Sequence, residues 1–136
     1  MPDATVRLRW AGAGLVFTGG GEGGPQATFD GNGRSGPSPV LTLLLALASC
    51  SGSDMIEIAS KMRVPIASLD ITMEGDRAAE PPRRYLAIRV TYRVTGVAPG
   101  DHDKVRRAVQ LSEQKYCSVF HTLRNDLEYA SDVVFG

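Results

Sequence analysis

Residues 38–54 read SPVLTLLLALASCSGSD, the most apolar run in the chain, with a cysteine at its end and four small or acidic residues behind it. Ser38 suits an N-cap and Pro39 the first helical position, where a missing N–H costs nothing. Val40, Leu41, Leu43, Leu44, Leu45, Ala46, Leu47 and Ala48 leave almost no polar face. A helix of that composition is expected to be surrounded by protein. Beyond Cys50, Met55, Ile56, Ile58, Ala59 and Met62 keep a helical spacing until Pro65 forbids continuation. The spacing predicts one central helix over about residues 38–63, roughly 37 Å long at about 1.5 Å per residue, with Gly52 a candidate bend.

On its N-terminal side, Val6, Leu8 and Trp10 alternate with Arg7 and Arg9, the period of a half-buried strand. The AGAG that follows suits a tight turn into LVFTG, so the chain opens with a hairpin. GGGEGGP, residues 19–25, lacks the lysine and following helix of a phosphate loop and reads as a connection. QATFD then runs as a third strand into the turn DGNG. These strands occupy about residues 5–30.

On its C-terminal side, Leu69, Ile71 and Met73 alternate with polar residues, and Leu86, Ile88, Val90, Tyr92 and Val94 do the same. They predict two antiparallel strands within about 66–94, joined by the polar loop GDRAAEPPRR. Asp101 is the expected N-cap of a helix with Val105, Ala108, Val109, Ser112 and Tyr116 along one side and Cys117 at its end. A short helix, SVFHTLRN, completes a helical region of about 101–126, and a last strand is expected over about 127–135. Strands and helices segregated in this way indicate an α+β fold with largely antiparallel sheets. A small helical layer cannot hide two sheets and an all-round apolar helix, so a homodimer is expected.

The chain has 136 residues, a usual single-domain size, and one domain over 1–136 is expected. Fifteen basic residues balance fifteen acidic ones, leaving no net field to gather nucleic acid or anionic lipid. The N-terminus MPDATVRLRW carries an acid and two arginines where a signal peptide needs an apolar stretch, and the unbroken run Val40–Ala48 is about half a bilayer span. No membrane association and a cytoplasmic location are expected. Cys50 and Cys117 lack the close pairing of a zinc or thioredoxin-like motif, and no metal is expected. In a reducing compartment, thiols that meet point to a transient redox bond more than to a permanent disulfide.

Two segments resemble the OsmC/Ohr family, the osmotically induced and organic hydroperoxide resistance proteins. One is GPSPVLTLLLALASCSGSD, with Gly-x-x-Pro, an apolar helical run and a cysteine eleven positions after Pro39; the other is LSEQKYCSVFHTL, a helix bearing the second cysteine and leading into a short one. The wording around Cys117 is similar to the OsmC-like branch. The resemblance implies an OsmC/Ohr-like fold, largely antiparallel sheets around long central helices in an intertwined homodimer. It further implies cysteine-based reduction of hydroperoxides without a bound cofactor; a hydroperoxide or other small apolar substrate is the expected partner, and the disulfide so formed must be reduced by an external dithiol. Cys50 would be the peroxidatic thiol and Cys117 the resolving one.

A peroxidatic cysteine must be a thiolate, yet its ordinary pKa is about 8.5 and burial raises it. The helix dipole fades within a turn, and Cys50 is about three turns past Pro39, so a cation is required. In the family's reductases it is an arginine positioned by a glutamate shortly after the proline. Here those positions read Val40, Leu41 and Thr42. Arg34, just upstream of the helix, is the candidate cation. Glu113 and His121 stand four residues to either side of Cys117 and would approach its sulfur if the helix continued, His121 as a proton donor to the leaving oxygen. The alternative function is a non-catalytic homologue that binds a small acyl or thiol ligand in an interface pocket.

Overall fold

The computed structural model describes residues Met1–Gly136. The chain divides into two compact units, Met1–Leu45 and Ala46–Gly136, with the boundary inside the central helix.

The N-terminal unit is an antiparallel sheet in the order β1 (Val6–Trp10), β2 (Val16–Gly21), β3 (Ala27–Asp30). Glycines are required where β2 is crossed at close quarters: a Cβ on Gly19 would meet the Arg7 carbonyl oxygen of β1. After β3 the chain turns on Asp30, whose buried carboxylate accepts backbone N–H bonds from Asn32 (2.8 Å), Arg34 (3.2 Å) and Ser35 (2.9 Å). Those N–H donors, Ser35 first, hold the Asp30 carboxyl below its ordinary range. The turn delivers the chain to α1 (Pro39–Lys61), where Ser38 Oγ accepts the Leu41 N–H, as an N-cap should.

In the C-terminal unit the sheet order is β4 (Ser68–Arg77), β5 (Tyr85–Thr95), β6 (Glu128–Phe135). β4 and β5 are antiparallel, but β6 runs parallel to β5, because the chain crosses over through α2 (His102–Leu111) and α3 (Ser118–Thr122) before returning. Ile88, Val90, Tyr92 and Val94 of β5 are buried at every second position, in register with Met73, Ile71 and Leu69 on one side and Tyr129, Val133 and Phe135 on the other. Met55 and Ala59 of α1 and Val105 and Val109 of α2 join Val90, Tyr92 and Val94 in one core. The helical layer is fastened at its start: His102 stacks on Phe135 at 3.6 Å between ring centres, with Arg106 over the same ring.

One local expectation changes, and two others are not met within a single chain. Asp101 makes no side-chain cap; it ends a 3₁₀ turn, Pro99–Asp101, and pairs with Lys104 at 3.4 Å. β1 is exposed along its whole length, with Val6, Leu8 and Trp10 75%, 59% and 55% accessible. α1 is not enclosed within one chain either: Leu47, Met55 and Ala59 are buried, while Leu41, Leu43, Leu45 and Ile56 are open. By length and composition alone α1 could cross a membrane. Its C-terminal half is instead a core helix, since Met55 and Ala59 pack on the sheet.

Candidate active site

Gly52 sets the distance between α1 and β4. A Cβ there would lie 2.8 Å from Ile71 Cδ1, so the Ile71 side chain of β4 packs against the helix backbone at this point. The small residues after Cys50 therefore serve in part as a packing notch: Ser51 is also buried, its Oγ donating to the Ala48 carbonyl at 3.2 Å. Cys50 and Asp54, four residues apart on α1, share a helix face, and both are partly buried.

Cys117 reaches this face by a local irregularity. α2 does not continue as an α-helix; Ser112–Tyr116 form a π-helical turn, closed by the Cys117 N–H on the Ser112 carbonyl at 2.9 Å. Such insertions re-aim the residues that follow them. Cys117 then leaves the helix with φ −73° and ψ 100°, and its Sγ accepts the Phe120 N–H at 3.4 Å, capping α3. The sulfur does the work that a serine or aspartate oxygen does at other N-caps.

The result is a cluster from two distant parts of the sequence. Cys50 Sγ, a carboxylate oxygen of Asp54 and Cys117 Sγ all lie within 4.8 Å of one another. Ser112 Oγ donates to Asp54 Oδ2 at 2.8 Å and fixes the carboxylate. Cys117 is 1% accessible. Burial pushes its thiol up to about 11; the Cys50 sulfur and the Asp54 charge act in the same direction, and the Phe120 N–H opposes them. Behind it, burial first, and then the Glu113 charge and Cys117, hold the Tyr92 phenol above its ordinary range. Ser51 and Tyr129 oppose this, although the Tyr92 hydroxyl makes no hydrogen bond of normal geometry. Tyr129 is raised too, by burial and then by Tyr92.

Glu113 turns toward these tyrosines, with a buried Oε1 that has no hydrogen-bond partner. His121 is exposed on α3, edge-on to Phe120 at 5.4 Å, and its backbone N–H, not its ring, is bonded to Cys117, at the carbonyl. The straight helical spacing on which both residues would flank the sulfur is broken by the π turn and by the extended Cys117. Arg34 belongs to the N-terminal unit, its backbone held by Asp30 and its side chain exposed. Asp54 and Ser112 complete the site beyond the residues that the sequence nominates for it. Asp54 was legible, one helical turn beyond Cys50; Ser112 was not, since nothing in SEQKY distinguishes a π turn from an α turn.

Two thiols and a carboxylate could also ligate a soft divalent ion, one donor short of a closed structural zinc site. Two sulfurs this close, one of them buried, are equally the makings of a reversible disulfide.

The sequence profile of the OsmC-like proteins matches residues 30–130. This chain belongs to the OsmC-like family. It is 38% identical to Protein YhfA of Escherichia coli over 115 residues, 84% of each chain. Among solved structures it is similar to a hypothetical protein from Aquifex aeolicus (TM-score 0.83, 27% identity, covering 100% of this chain and 99% of that one). It also shares its fold with an organic hydroperoxide resistance protein, OsmC, from Legionella pneumophila (TM-score 0.66, 14% identity, 98% of each chain). The α+β architecture expected from the strand and helix order is thus an OsmC/Ohr fold, and both cysteines of this OsmC-like chain fall inside the matched region.

Proposed function

We propose that this OsmC-like protein is a cytoplasmic, homodimeric, thiol-dependent peroxidase that reduces organic hydroperoxides. The observation that carries the reading is the meeting of Cys50 and Cys117 within 4.8 Å. The Cys50 thiolate attacks one peroxide oxygen, the O–O bond breaks, and the other oxygen leaves as alkoxide and takes a proton, giving an alcohol and Cys50 sulfenic acid. Cys117 displaces the hydroxyl as water and forms a disulfide, which an external dithiol reduces. Organic substrates are supported by the apolar run of α1 that leads to Cys50 and by the fold shared with the organic hydroperoxide resistance protein of Legionella pneumophila. Open leucines on α1 and the bare face of β1 support a second copy covering them. Arg34 is the proposed activating cation, with Glu113 and His121 as secondary participants.

The test is mass spectrometry after one equivalent of cumene hydroperoxide. A loss of two hydrogens, mapped to a Cys50–Cys117 link, supports the enzyme; two unmodified thiols reject it. Val40, Leu41 and Thr42, where a cation-positioning glutamate would stand, favour a second reading: a non-catalytic homologue binding a small acyl or thiol ligand. Unmodified thiols together with a copurified small molecule would select that one.

A further inference from the structure

The resolving step has a proton problem. When Cys117 attacks Cys50 sulfenic acid, the S–H and S–O bonds break, an S–S bond forms, and the proton of Cys117 must reach the departing hydroxyl to make water. Only the thiolate attacks. Burial holds Cys117 protonated, with its pKa pushed up to about 11, so near neutral pH almost none of it is thiolate unless a base takes the proton.

The groups facing the sulfurs come from four elements. α1 supplies Cys50, Ser51 and Asp54, with Glu57 and Lys61 farther along; the π turn supplies Ser112 and Glu113; β5 supplies Tyr92 and β6 supplies Tyr129. The phenols, both raised, are donors at neutral pH rather than bases. Glu113 is turned to the tyrosines. Asp54 alone is a carboxylate within 4.8 Å of both sulfurs. Ser112 holds its Oδ2 at 2.8 Å. Asp54 also lines a cleft of about 400 Å³ together with Glu57, Lys61, Leu111 and Tyr116, open to solvent. One carboxylate therefore faces the buried dithiol and the water outside it.

We infer that Asp54 is the proton carrier of the resolving step: its carboxylate accepts the Cys117 thiol proton and returns it to the hydroxyl leaving Cys50, with Ser112 as the residue that positions it. Atoms and electrons balance without a further reactant, since Cys117 is oxidised as the sulfenic sulfur is reduced and water is the product. The inference rests on the peroxidase reading and adds a residue to it. A carboxylate in this place also serves the return half-cycle, passing a proton from the cleft to whichever thiolate the external dithiol releases.

The experiment separates the two chemical steps. Sulfenic acid formation is followed in a C117S background by dimedone trapping, and disulfide formation in the two-cysteine protein by rapid quench and mass spectrometry, from pH 6 to pH 10. Asp54→Asn is expected to slow disulfide formation at least about tenfold near neutral pH while sulfenic acid accumulates. Its rate should then climb about tenfold per pH unit toward the Cys117 titration, following the thiolate population, where the unsubstituted protein stays nearly flat. Ser112→Ala, which keeps the carboxylate but frees it, should give a smaller slowing, and it tests the same profile if the asparagine variant folds poorly. A merely structural role would lower the rate without changing its pH dependence. An unchanged disulfide rate and pH profile in Asp54→Asn, or the loss appearing with Glu113→Gln instead, overturns the inference while leaving the peroxidase reading standing. Absence of any sulfenic acid in the C117S background overturns both.

Discussion

Cys50 and Cys117 bring their sulfurs within 4.8 Å of each other, one from the middle of α1 and the other from the break between the π turn and α3. A disulfide needs about 2.05 Å between sulfurs and a Cβ–S–S–Cβ torsion near 90°. Cys117 follows directly on the π turn, so closing the remaining gap to a disulfide calls for a small movement of that turn or of Cys50. Cys50→Ser should therefore abolish peroxide turnover. Cys117→Ser should allow one oxidation and then trap Cys50, which excess peroxide carries on to sulfinic acid. Turnover assays and intact mass read both, and equal activity in the two variants would refute the division of labour.

The contact between Gly52 and Ile71 makes a graded prediction. Alanine gains about 1 kcal/mol of helix propensity over glycine, but its Cβ would stand 2.8 Å from Ile71 Cδ1. That atom is the far end of a side chain and can move by a few tenths of an ångström. Gly52→Ala should thus change stability by less than about 1 kcal/mol, the overpacking cost offsetting the propensity gain. Gly52→Leu has no such escape against β4 and should lose about 3 kcal/mol or more, since the bulk exceeds what ordinary overpacking absorbs. Urea denaturation of the two variants measures the difference; a well-tolerated leucine would mean that α1 does not rest on β4.

How much of this was legible follows from what each feature depends on. The alternation in β4 and β5 was plain in the sequence because one face of their sheet is buried and the other is not, which writes a period of two into the chain. The same alternation in β1 gave the strand, but what covers Val6, Leu8 and Trp10 lies outside a single chain, which leaves them open. The direction of β6 could not be read, since VVF carries no mark of whether its neighbour runs with it or against it; the crossover through α2 and α3 decides that. At the site, the cysteines stood out through a resemblance. Asp54 was visible in principle, by applying to Cys50 the four-residue rule applied to Cys117. The π turn had no signal at all, and it is what removes His121 and Glu113 from the straight helical register.

The open apolar residues predict the oligomer. Leu41 and Leu45 lie one turn apart on α1 and are 55% and 56% accessible. A monomer would hold this stripe in water. Sedimentation should give a species of twice the 14.6 kDa chain mass, with a melting temperature that rises with protein concentration. Replacing both leucines by lysine should shift the population to monomer and lower the melting temperature, whereas exposed lysines on a free surface would do neither. A chain that sediments as a monomer at every concentration would remove the homodimer from the proposed function.

Alkaline pH should expose the buried thiol. The folded pKa of Cys117, about 11, lies above the roughly 8.5 to 9.0 of an ordinary thiol, so the folded state holds the proton more tightly than the unfolded chain does. The stability that this contributes is fully present below pH 9, declines as the unfolded chain begins to lose its proton, and is gone above the folded value. Tyr92 and Tyr129, raised in the same direction from 10.0, extend the decline upward. Stability of the reduced protein should accordingly fall from pH 9 toward pH 11, and in Cys117→Ser the first part of that fall should disappear while the part due to the tyrosines remains. The slope carries the information and the level does not, because serine at an N-cap also changes the bond to the Phe120 N–H. Denaturant midpoints at half-unit steps of pH, under a reductant active at high pH, measure it; an identical slope in the two proteins between pH 9 and pH 10 would show that Cys117 is not the group titrating there.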